Sequence, residues 1–204
     1  MTETTRLITI TLLALGTFQL AEYFVCTGYG ASAEQWSRVG FAAITTLPAL
    51  GTHLIHRLAG KPARRMVVAA YASMAGFILL FMTYHTAFIG HQCTGNYVIF
   101  QIGNTLAVIY GAYYYGWLLT GIILGIRWAN DFKAKGATAL SKLQTVRGLI
   151  IGYLVFLVPT ALSNTVAPSS RAGIPSIMCG FAVLFALILV WYVMPRTGIK
   201  HRSA

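Results

Sequence analysis

Long apolar runs alternate with short stretches that hold nearly all of the chain's basic residues, and this segregation constrains the fold more than any motif. An apolar run of about 20 residues is the length of a helix that crosses the hydrocarbon core of a bilayer. Six runs qualify, at about 7–27, 39–56, 66–89, 97–127, 148–166 and 174–194. Lipid offers no partner for free backbone groups, so each run is predicted to be helical. The expected fold class is therefore all-α: one polytopic bundle of six transmembrane helices over 1–204, without a separate soluble domain. The fourth run is too short for two crossings and reads as one long helix, tilted or projecting beyond the bilayer.

Composition agrees. Charged residues are 9% of the 204 and hydrophobic residues 57%, against about 25% charged in a soluble domain whose surface faces water. A formal charge of +11 raises nucleic acid as a partner. The basic residues flank apolar spans, however, and no nucleic-acid-reading motif is present, so membrane orientation accounts for them better and no nucleic-acid partner is expected.

Those residues alternate in sidedness. Arg6, Arg57, Lys61, Arg64, Arg65, Arg127, Lys133, Lys135, Lys142, Arg147, Arg196, Lys200 and Arg202 fall on one side, and only Arg38 and Arg171 on the other. The positive-inside rule then predicts both termini in the cytoplasm and a multi-pass protein of the inner (plasma) membrane, with anionic lipid headgroups as partners at the cytoplasmic face. The first run is longer than a signal-peptide core and is interrupted by Gln19 and Glu22, so it reads as a retained span. The outer loops are expected at about 27–38, 90–96 and 167–173. The inner segment 128–147 reads as basic and mildly amphipathic, with Trp128 and Phe132 suited to the headgroup layer. No internal repeat of the inverted-transporter kind is visible.

Glu22 is the one acidic residue within a span, and an ionisable group there usually faces the bundle interior and marks function. Gln19, Glu22 and Cys26 share a helix face. Tyr84 and His85 close the third span; Gln101, Asn104, Val108, Gly111 and Tyr115 follow one face of the fourth. Ser163 and Asn164 end the fifth span, while Ser176 and Cys179 begin the sixth. Most of these lie toward the outer side, so the expectation is an outward-facing polar pocket that binds or passes a small solute. Glu22 would carry its charge, and Gln19, His85, Gln101 and Asn104 its hydrogen bonds. Interhelical polar contacts that merely hold the bundle together explain the same residues at about 0.6 kcal/mol each.

Two further readings stay open. One is a membrane metal-binding or redox enzyme using outer-face groups: Glu22, Cys26, His85, His91 and Cys93 are ligand types suited to zinc or copper, although their spacing matches no known signature. The other is a structural or assembly subunit without a ligand. The cysteines lie on the oxidising side of a bacterial membrane, where a bridge is permitted. Cys26 with Cys93 is the favoured pair, and inert buried thiols are the alternative. No Cys-x-x-Cys, triad, phosphate loop or dinucleotide fingerprint is present. No two histidines match in depth for haem, and the cofactor is left undefined. Thr45 and Thr46 are placed to re-satisfy backbone near Pro48, and the Tyr110–Trp117 cluster to need hydroxyl partners.

Overall fold

The computed structural model describes residues 2–94, 98–166 and 174–197, apart from the side chain of Asn164. Residues 95–97, 167–173 with Arg171, and 198–204 with Lys200, His201 and Arg202 lie outside the described residues. Six helices are long and apolar enough to cross a membrane, the arrangement of a multi-pass membrane protein. They are α1 (Glu3–Thr27), α2 (Ala33–Ala59), α3 (Arg64–Thr83), α4 (Asn104–Ala134), α5 (Leu140–Val166) and α6 (Ile174–Thr197). Helix α6 widens into a π-helical turn at Leu189–Val193, just before Pro195, whose ring nitrogen has no proton to donate back to the preceding turn.

The fold departs from the sequence reading between α3 and α4. The third run is helical only to Thr83, and the fourth starts its helix at Asn104. Between them Phe88–Cys93 (β1) and Val98–Ile102 (β2) form an antiparallel hairpin in which Cys93 pairs with Val98 and His91 with Phe100. A short apolar run is compatible with a buried strand as well as with a helix end, and periodicity alone does not separate them. The hairpin makes its own ladder hydrogen bonds and therefore survives at the end of a bundle where a single extended strand would not. Arg38 also moves: it lies inside α2, whose true start is set by the Ser32–Gln35 capping box.

The bundle has two chemically different ends. At the basic end the start of α1 meets the end of α2: Glu3 accepts from Arg57 and lies 3.3 Å from His53 Nε2. Lys61 in the α2–α3 connection pairs with Asp131 of α4 at 2.9 Å. Trp128 and Phe132 pack beneath the Lys61 ammonium, with Trp128 also against His56. Phe132 is buried in the bundle, which corrects the expectation that it faces the headgroup layer. At the hairpin end, Arg38 is only 11% exposed in its side chain and pairs with Glu34 at 2.7 Å. It donates to the carbonyls of Phe81, Tyr84 and His85. A cation thus completes the unpaired C-terminus of α3, the sign that the helix dipole favours.

Helix α2 runs through the middle, against α1, α3, α4 and α5. Pro48 gives no N–H to the carbonyl of Ile44. The Thr45 and Thr46 hydroxyls bond back to Phe41 and Ala43 rather than to Ile44. Helix α4 adds the remaining support: Tyr110 Oη lies 3.0 Å from Thr45 Oγ1, and Tyr113 donates to the Thr45 carbonyl at 2.7 Å. Glycines permit the close approaches that drive helix association in lipid, where solvent exclusion contributes little. A Cβ on Gly51 would collide with Tyr153 Oη, and one on Gly125 would lie 2.9 Å from Ile150.

Gly51→Ala is accordingly expected to destabilise the bundle by about 1–3 kcal/mol, read as a lower unfolding temperature in lipid nanodiscs, and Tyr153→Phe to recover part of the loss. An unchanged unfolding temperature for Gly51→Ala would be incompatible with the α2–α5 contact.

Candidate functional site

Beneath the hairpin lies a cavity of about 890 Å³, within the range of about 300–1,000 Å³ typical of small-molecule sites. Its roof is the hairpin, through residues including Ile99, Phe100 and Gln101; its walls are the first three turns of α4 and the start of α6. Phe41, Tyr110, Tyr114 and Tyr115 give it an aromatic lining, and Met178 and Cys179 border it from α6. The Tyr115 hydroxyl donates to Met178 Sδ at 3.3 Å, which joins α4 to α6. Polar groups gather toward the roof: Gln92, Thr94, Gln101 and Asn104. No charged side chain lines the cavity among the described residues.

Two local features make this space. Gly111 faces it with nothing within 4 Å of where a Cβ would stand. The hairpin adds a second surface, held down by Phe88 and Phe100, whose rings meet Phe41 at 5.1 and 5.4 Å.

The expected site residues divide. Gln101 and Asn104 line the cavity, together with Gly111 and Tyr115, although Gln101 reaches it from a strand rather than from a helix. Gln19 is exposed on the outer face of α1, and His85 is exposed in the turn after α3, contributing only a carbonyl to Arg38. Glu22 is half-buried behind the first turn of α6 and does not line the cavity. Its carboxyl lies beside the Ser176 hydroxyl. That hydroxyl donates to the Val98 carbonyl at 2.6 Å, and Glu22 Oε1 is left buried without a hydrogen-bond partner.

Among the metal-ligand candidates, Cys26 and Cys93 are joined in a disulfide with Cα atoms 5.9 Å apart. That bond leaves neither sulfur as a thiolate ligand in this oxidised form. No group of three His, Cys, Asp or Glu side chains that could hold a metal ion occurs among the described residues. His91 is exposed on β1. Cys179 is the free, buried thiol.

Sequence reasoning passes over Gln92 and Thr94, which belong to the hairpin, and the cavity-facing roles of Phe41 and Met178. The signal available was Gly95-Asn96 between two β-prone runs, a turn-forming dipeptide of hairpins. No family model, curated protein or solved structure matches the chain.

Alkylation of the denatured protein without reductant is expected to modify Cys179 alone, and after reduction all three cysteines. Three modified thiols in the unreduced sample would contradict the α1–hairpin bridge.

Proposed function

We propose that this protein is a multi-pass protein of the plasma membrane that binds a small, uncharged, largely apolar solute in an outward-facing cavity, as a carrier or receptor rather than as an enzyme. The single observation behind this reading is the large hairpin-roofed cavity, aromatic along its walls and carboxamide-bearing at its rim. An isolated ion has no counter-charge in such a lining and loses hydration on entering it. A neutral amphipath suits it better. Its apolar body would lie on Tyr110, Tyr114 and Tyr115, and a carbonyl or hydroxyl group would meet Gln92, Gln101 and Asn104. The expectation of a charged pocket centred on Glu22 therefore gives way to a neutral one in which Gln101 and Asn104 keep their binding roles.

Orientation follows from charge. With the basic end in the cytoplasm, both termini are cytoplasmic and the hairpin faces outward. Arg64, Arg65, Arg127, Lys133, Lys135 and Arg147 have no ion-pair partner among the described residues. They are suited to anionic lipid headgroups, at about 1 kcal/mol for each basic residue near the surface.

Gly111→Trp is the direct test, since the new side chain enters open space. Native mass spectrometry of the protein released from lipid nanodiscs is expected to find a neutral adduct on the wild type. Gly111→Trp should lack the adduct, with its unfolding temperature unchanged, and Asn104→Ala should weaken retention about fivefold, the effect of one lost hydrogen bond. An adduct retained equally by the Gly111→Trp protein, or none on the wild type, would overturn the reading.

A further inference from the structure

The hairpin's last rung is fixed from both sides. Cys93 on β1 is bonded to Cys26 of α1, and its register partner Val98 on β2 accepts from Ser176 of α6. The first fixing is covalent. The second depends on where one proton sits. A hydroxyl has one proton to donate, and Ser176 gives it to Val98, so toward Glu22 the Ser176 oxygen is an acceptor. The relay closes only if the carboxyl itself brings a proton: Glu22 donates to Ser176, and Ser176 donates to Val98. An ionised Glu22 is an acceptor on both oxygens, and it would be satisfied only by turning the Ser176 hydroxyl toward itself and away from β2.

We propose that Glu22, Ser176 and the Val98 carbonyl form a proton-binding site that docks the β2 half of the cavity roof when occupied and releases it when empty. The surroundings agree. No Lys, Arg or His lies within ion-pair distance of Glu22 among the described residues, so no cation holds the carboxylate form there. Arg38 of α2 is engaged with Glu34 and the end of α3. From α6 the titratable neighbour is Cys179, a thiol that brings no positive charge. From β2 the facing group is the uncharged Val98. On α1 itself Cys26 is in the disulfide and does not titrate.

The sign is fixed. Protonation favours the docked roof, so β2 opens as pH rises through the titration of Glu22. Released, β2 still hangs from the disulfide through its partner strand, and the roof opens without leaving the bundle. Opening would uncover Phe100 and Gln101 on the cavity side. This site stands whether or not the cavity takes a solute.

Hydrogen exchange of the β2 amides in lipid nanodiscs, corrected at each pH for intrinsic exchange, reads the docking directly. In the wild type the protection of Val98–Ile102 is expected to fall about fivefold as pH rises, the effect of losing one hydrogen bond. Glu22→Gln, whose amide donates to Ser176 at any pH, should stay protected with no step. Ser176→Ala should show the lower, high-pH protection at every pH, and Cys179→Ala should keep the wild-type step. A step that survives in Glu22→Gln, or one that disappears in Cys179→Ala, would overturn the proposal, as would the higher, low-pH protection in Ser176→Ala. A ligand adduct missing from the wild type would leave this result untouched.

Discussion

A chain that leaves helical form at the edge of a bilayer must find hydrogen-bond partners for its backbone from itself or from its neighbours. Here the hairpin supplies most of them through its own ladder, and its neighbours supply the rest at defined points. Arg38 holds the carbonyls that end α3, Ser176 holds Val98, and the Cys26–Cys93 bond fixes the strand ends to α1. The aromatic contacts of Phe88 and Phe100 with Phe41 seat the hairpin on the core. Without this set the hairpin would have no fixed place, and the space below it would not be a cavity.

The two ends of the bundle solve different problems. At the basic end, Glu3 ties the start of α1 to the end of α2 and Asp131 ties the α2–α3 connection to α4, and such exposed pairs contribute little stability individually. They fix geometry while leaving most of the basic residues without an ion-pair partner among the described residues. At the hairpin end Arg38, a well-buried cation, is fully engaged in structure. Among the described residues no charged side chain lines the cavity, and Arg38 is directed instead to the α3 terminus and to Glu34.

The six helices were legible because bilayer thickness imposes a length and a composition that few other structures share. Their ends were less so. Ser32 and Gln35 carry a capping signature that moves the start of α2 back to Ala33, and Val98–Ile102 is apolar enough to pass as the beginning of α4. Gln101 and Asn104 were readable as a polar pair at a span end, and both line the cavity although they stand on different elements. Glu22 and Gln19 share a helix face by spacing, yet α6 lies against Glu22 while Gln19 remains exposed. Spacing gives the direction of a side chain around its own helix; which neighbour waits there depends on helix packing, which one sequence does not encode locally. Cys26 and Cys93 were nameable as a pair because both sit at element ends on one side.

The chamber between the hairpin and the α4 tyrosines is what joins the fold to the proposed binding role. An experimental density map of the protein in lipid nanodiscs is its most direct test. It should contain elongated density along Tyr110, Tyr114 and Tyr115, with one end near Asn104 and Gln101, beneath a hairpin bonded to α1. A map in which β2 packs down onto α4 and α6, leaving no enclosed space, would contradict both the chamber and the binding role drawn from it.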